Sequence, residues 1–327
     1  MKTIEFGLTH INQATHIAKQ NYNEERKIVP ALPPINKFPD LTDYAKNNRC
    51  VAVVDGSDLL GFFCWFEPWD NLFGLNKGTW SPVHAHGAIR KNRSEIYDRL
   101  YQAAAKELVS AGVYSHCVTL YEHDKEANES FFQNGFGRRC VDAIRETTPF
   151  TAPVCDGIHV DRAFCARSNS YVYRQANKND AEFLTMAGNE TGVHLNGSPM
   201  FMPLSNPSTI YDTLESFESG EYKNFVAINQ GKPIANLCIR KNGESLASDD
   251  DTVMNICGAY VLPEFRGRGI SGGLLSWLMD WLREQGYPRC GVDFECFNYA
   301  ARKFWLKYFT AYTNGAVRRI DERIGKQ

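Results

Sequence analysis

The chain has 327 residues, of which 43% are hydrophobic, 23% charged and 13% aromatic, a composition that folds and excludes a disordered chain. Lysine and arginine number 36 against 38 acidic residues, for a net charge of −2, so no basic excess exists to hold nucleic acid or an anionic membrane. No apolar run approaches the ~18 residues of a membrane helix, and the opening Met1-Lys2-Thr3-Ile4-Glu5-Phe6 lacks the apolar stretch of a signal peptide.

In chain order, Val29-Pro30-Ala31-Leu32-Pro33-Pro34 reads as a loop. A β-hairpin follows, in which Cys50–Asp55 and Leu59–Trp65 flank a turn at Gly56. His84 and His86 fall two apart on a strand and point the same way. They are either ordinary strand residues or two arms of a metal site, and the eight histidines show no further metal-ligand spacing. Ile96, Leu100, Ala104 and Leu108 mark one face of a helix that stops at Gly112. The strand His116–Leu120 and a helix opening at Asp124-x-x-Ala127 come next. The segment from Pro149 to Ser170 has no periodicity and ends in a polar run, which suits a linker. The same order then recurs: a hairpin turning at Gly231, a helix with Ile270, Leu274, Leu278 and Leu282 ending at Gly286, a strand Cys290–Phe294, and Asn298-x-x-Ala301.

The helix positions and the Asp124/Asn298 pair repeat at an offset of 174 residues. One register held through about seventy positions implies duplication, because two unrelated α/β domains would drift. The expected domains are 1–150, a linker at 151–170, and 171–327. Ten cysteines lie scattered without a Cys-x-x-Cys pair, which suits reduced thiols in a cytoplasm.

The second copy carries the chemistry. Strand Met254–Val261 runs into Leu262-Pro263-Glu264-Phe265-Arg266-Gly267-Arg268-Gly269-Ile270-Ser271-Gly272 and then a helix. Such a turn aims backbone N–H groups and the helix dipole at an anion, and Arg266 and Arg268 suit a diphosphate. No Walker A sequence is present. Gly267-x-Gly269-x-x-Gly272 satisfies the Rossmann fingerprint, but it follows an antiparallel hairpin rather than the first strand of a βαβ series, so that reading fails on context.

Arg266-x-x-Gly269-x-Ser271 after Val261-x-Pro263 resembles the pyrophosphate loop of the GNAT superfamily of acyl-CoA-dependent N-acyltransferases, and Asn298-x-x-Ala301 resembles the family's next motif. The resemblance covers about residues 171–327, and more weakly the architecture of 1–150. It implies an α/β (α+β) fold of two GNAT-like domains, each a mixed, mostly antiparallel sheet flanked by helices. It further implies an N-acetyltransferase using acetyl-CoA and no metal, with the acceptor a small-molecule or peptide amine. Tyr260, Val261, Arg266, Gly267, Arg268, Gly269, Ile270, Ser271, Gly272, Asn298 and Trp305 would border acetyl-CoA. The tandem would mimic a dimer within one chain, which suits a monomer.

At the 174-residue offset, Gly269 falls on Glu95 and Ser271 on Tyr97, so the first copy is expected to be degenerate and unable to hold CoA. In the family a backbone N–H, here near Tyr260 or Val261, serves the oxyanion of the attacked thioester. The family's acid is a tyrosine seven residues after the Asn; here that position is Trp305, whose indole cannot deliver a proton. Tyr308 one turn on is either a substitute or a packing residue. Candidates for the base are Glu295, Asp251 and His194. Cys257 is either an acyl-accepting nucleophile or a structural thiol. Acceptor specificity falls to Thr191–Phe217, where Met200-Phe201-Met202-Pro203-Leu204 either lines a pocket or packs. The missing acid and base leave one alternative, an acyl-CoA-binding sensor without turnover.

Overall fold

The computed structural model describes residues 1–35, 37–150 and 171–326, so the expected linker at 151–170 lies outside the described residues. The first half runs β1 (Lys2–Glu5), α1 (Ile11–Ile28), α2 (Thr42–Lys46), β2 (Cys50–Asp55), β3 (Asp58–Cys64), β4 (Gly78–Ser81), β5 (His86–Ala88), α3 (Arg93–Ser110), β6 (Ser115–Tyr121), α4 (Lys125–Gln133) and β7 (Gly137–Glu146). The second runs β8 (Val172–Gln175), α5 (Ala181–Asn196), α6 (Ile210–Ser219), β9 (Tyr222–Asn229), β10 (Lys232–Arg240), β11 (Val253–Val261), α7 (Ile270–Glu284), β12 (Arg289–Glu295), α8 (Tyr299–Trp305) and β13 (Thr310–Arg319).

The chain divides into two compact units that interleave in sequence. Unit 1 holds Met1–Ala143, Phe294–Cys296 and Thr310–Gln327; unit 2 holds Ile144–Asp293 and Phe297–Phe309. In unit 1, β1, β2, β3 and β5 pair antiparallel in that order, β4 runs parallel to β6, and β13 closes antiparallel on β6 with Arg319 opposite Ser115. In unit 2, β8, β9, β10 and β11 pair antiparallel and β12 runs parallel to β11. The fold is therefore mixed α/β with mostly antiparallel pairing.

The helix faces expected from the 3.6-residue period are the buried ones. Ile96, Leu100, Ala104 and Leu108 of α3 sit in the unit 1 core with Phe63, Tyr101 and Phe131. Ile270, Leu274, Leu278 and Leu282 of α7 are buried in unit 2, each contributing ~1.5–3 kcal/mol by leaving water. Phe225 of β9 meets Trp277 and Trp281 of α7 at 5.7 and 5.0 Å. The opposite face of the same sheet packs Val226 against Ala176 and Leu184. Gly273 is required by close approach, because a Cβ there would collide with the Tyr173 hydroxyl.

Candidate functional site

β11 pairs with β12 only from Val253–Arg289 to Ile256–Val292. Its remaining residues keep their ladder with β10, Gly258 to Val261 lying opposite Cys238 to Ala235. Cys257 is an extra residue in that ladder, since Cys238 pairs with Gly258 and Ile239 with Ile256. A bulge of this kind bends the strand, and it stands where β11 leaves β12.

Beyond Val261 the chain makes a short 3-10 turn over Pro263–Phe265, pinned by the Leu262 N–H to the Ile234 carbonyl at 2.9 Å. Gly267 and Gly269 both take left-handed φ, +77° and +78°, on either side of Arg268. Glycine adopts that backbone without a Cβ penalty, and here it sets the strand-to-helix turn. Gly269 is the N-cap of α7, so Ile270, Ser271 and Gly272 form the first turn, whose N–H groups lack intrahelical acceptors and carry the positive dipole end. Residues 266–269 are exposed and Ile270 is buried, so the turn opens to solvent on a packed base. Arg266 returns its Nε–H to the Val261 carbonyl at 3.0 Å and lies 5.8 Å from the Tyr260 ring; Arg268 extends over Phe265 at 5.3 Å. Burial, with the charge of Glu190 on α5 second, raises the Tyr260 phenol above its ordinary pKa.

Asn298 caps α8: its Oδ1 accepts the Ala301 N–H at 3.2 Å. Trp305 is buried between Phe304 and Phe309, at ring separations of 4.8 and 5.6 Å, and Tyr308 rests on Phe150 and Phe304. Both have the surroundings of packing residues. Of the candidate bases, Glu295 is ion-paired with Arg139 at 3.4 Å, Asp251 is exposed and paired with Lys241 at 2.8 Å, and His194 lies exposed at the end of α5. Met200 is buried, whereas Phe201 and Leu204 are exposed.

Asp293 was not among the sequence candidates. It follows Val292, the last β12 residue paired with β11, and stands near Cys257, Arg240 and Glu244. Asp293 is exposed at the surface, yet the protein packed around its carboxyl, with the charge of Glu244 second, raises its pKa; Arg240 opposes. Strand alternation was the available signal, because Val292 and Phe294 face the core and Asp293 therefore does not.

Residues 196–309 match the family model described as Acetyltransferase (GNAT) family. This segment is a GNAT acetyltransferase domain. A GCN5-related N-acetyltransferase from Sphaerobacter thermophilus has a similar fold, with a TM-score of 0.54 at 11% identity over 97% of this chain and 95% of that one. An acetyltransferase of the GNAT family from Colwellia psychrerythraea is similar at a TM-score of 0.46 and 14% identity, covering 98% and 99% of the two chains. No curated protein matches the sequence.

In the first half β1, β2, β3 and β5 pair in the order in which β8, β9, β10 and β11 pair in the second, but the surroundings of the helix start differ. β5 pairs with β3 as β11 pairs with β10, so Ala88 stands where Val261 does. Its N–H and C=O are both bonded by the Asn21 carboxamide of α1, at 3.2 and 3.1 Å. Residues 89–92, four in all, connect β5 to α3, where eight, 262–269, connect β11 to α7. Glu95, expected opposite Gly269, is instead the third residue of α3 and bonds Arg99 at 3.0 Å on the outer surface. The two helix starts are tied together: Arg93 bonds Asp124, the cap of α4, at 3.0 Å and Glu24 at 2.8 Å. His86 fills the gap from β5 to β6, with Nε2 donating to the Thr119 carbonyl at 2.7 Å and Nδ1 accepting from Tyr97 at 3.2 Å.

Among the described residues no group of three or more metal-ligating side chains occurs, and no helix is long and apolar enough to cross a membrane. Cys50, Cys64, Cys117, Cys238, Cys257 and Cys290 are thiols outside any disulfide.

Proposed function

We propose that this chain is an acetyl-CoA-dependent N-acetyltransferase whose GNAT domain binds the cofactor and transfers the acetyl group to a small-molecule or peptide amine by direct attack. The single observation that carries the reading is the parting of β11 from β12 directly before a turn with two left-handed glycines at a helix start. The turn suits a diphosphate through the N–H groups of residues 267–272, with Arg266 and Arg268 supplying charge. The open edge of β11 at Tyr260 and Val261 suits the thioester arm, and one of its N–H groups would serve the oxyanion. Asn298 holds the α8 start beside that arm.

The acceptor reaches the site as an ammonium ion and must lose a proton before it attacks. Asp293 is the base we assign, because its raised pKa suits proton uptake and it follows Val292, the last β12 residue paired with β11, where the strands part. Glu295 is the weaker choice, since it is already engaged by Arg139 at 3.4 Å. The departing CoA thiolate takes its proton from water, and Trp305 shapes the domain rather than the chemistry. The first half is a degenerate copy with a structural role.

Thiol release from acetyl-CoA against a panel of primary amines tests this. Steady release that depends on an amine, falls in Asp293→Asn, and rises with pH through the raised Asp293 pKa is expected. CoA binding without release for any amine would overturn catalysis and leave the sensor reading.

A further inference from the structure

Cys238 of β10 and Cys257 of β11 meet with their sulfurs 3.6 Å apart. The bulge brings this about, because it sets Cys257 and Gly258 together against Cys238 and turns the extra side chain toward its neighbour. Cys257 is exposed and Cys238 half-buried, so one sulfur is open to reagents and the second stands behind it. We infer that Cys238 and Cys257 form a reversible disulfide by exchange with a low-molecular-weight disulfide, and that its closure stiffens β11 at the point where it leaves β12.

The exchange has two steps. The Cys257 thiolate attacks one sulfur of the reagent disulfide, forming a mixed disulfide and expelling the first reagent thiolate. The Cys238 thiolate then attacks the Cys257 sulfur and expels the second, so two protein thiols are oxidised as one reagent disulfide is reduced to two thiols. Protonation fits this order. The sulfur–sulfur contact with Cys238 lowers the Cys257 pKa, with Arg240 adding to it, and the same contact first and burial second raise that of Cys238. Capping Cys257 removes its charge and that contact, leaving burial as the main restraint on the second thiol. Closing the sulfurs to a bond of about 2.05 Å needs less than 1 Å of movement at each, within the reach of side-chain rotation.

Cys50 and Cys64 supply an internal control. They lie directly opposite each other in β2 and β3, but both are buried and neither offers a first point of attack.

The test treats the full chain with mixtures of oxidised and reduced glutathione and maps the products by mass spectrometry. A single bridge between Cys238 and Cys257 is expected, reversed by dithiothreitol. Cys238→Ser should leave glutathione on Cys257, and Cys257→Ser should leave neither product. The thermal midpoint should rise on oxidation of the wild type and stay fixed in Cys257→Ser. An unresolved glutathione adduct on wild-type Cys257, a bridge at Cys50–Cys64 instead, or no product under oxidising mixtures would each overturn the inference. Slower acetyl transfer in the bridged form rests on the proposed function. Bridge mapping does not, so a chain without turnover can still confirm or refute the exchange.

Discussion

The entry to α3 and the entry to α7 follow the same order of four antiparallel strands and end with opposite surfaces. At α7 the strand edge stays open, eight residues turn through two left-handed glycines, and the helix start faces solvent. At α3 the corresponding edge is bonded by Asn21, four residues suffice, and Asn92 alone takes a left-handed φ of +57°. Arg93 then occupies the approach between the two helix starts with a cation paired to Asp124 and Glu24. At the α3 entry the chain's own side chains bond the strand edge, and a buried ion pair and an imidazole fill the space.

The largest effect that sharpens this contrast concerns CoA. Calorimetry should give one CoA per chain, and Gly269→Glu should abolish binding, since it puts a Cβ on a left-handed backbone and a carboxylate at the proposed diphosphate position. Two molecules per chain, or unchanged affinity in the variant, would break the comparison.

Acid should divide the units next. Burial pushes His86 and His116 of unit 1 down to about 4, and each is fully bonded as a neutral ring. Both pKa values lie below the unfolded 6.5, so the unfolded chain binds more protons under pH 6.5 and stability falls as pH drops from there toward 4. The loss reaches up to about 3 kcal/mol for each histidine. Hydrogen exchange corrected for its intrinsic pH dependence should quicken in β6 at pH 5 well before it does in β9 and β10. Equal change in both would contradict the sign.

The helix caps give a smaller and graded pair. Asn298→Ala should cost ~1 kcal/mol of stability, the value of a cap alone. Asp124→Ala should cost about 3 kcal/mol, because it also strips a partner from the buried Arg93 guanidinium. Urea titration of both variants checks the ratio. Last, Arg268→Ala should weaken CoA by ~1.5 kcal/mol, about tenfold, if one charge-assisted bond is lost. Unaltered affinity would leave the backbone N–H groups as the whole anion site.

Much of this frame could be read in the residues. The α3 and α7 core faces, the glycine stops at Gly112 and Gly286, and the capping roles of Asp124 and Asn298 are local consequences of period and side-chain chemistry. The loop at 266–272 was legible for the same reason. Three features were not. The α3 entry lacks the longer loop, so carrying Gly269 onto Glu95 at a fixed offset placed an outward-facing helix residue in a turn. The Cys257 bulge depends on ladder register, which alternation alone does not reveal. The environment of Asp293 is made by Arg240 and Glu244, both distant in sequence, so nothing in its immediate neighbours marks it.

The pairing of β13 with β6 also sets a timetable for biosynthesis. Ser115 finds its partner only when Arg319 has been made, some 200 residues later. At ribosomal rates of ~5–20 residues per second, the unit 1 sheet waits on the order of 10–40 s with the β6 edge exposed. During that interval the nascent chain presents a hydrogen-bonding template to neighbouring polypeptides. Ribosome-bound chains ending before Thr310 should therefore depend more heavily on chaperones than chains carrying the strand.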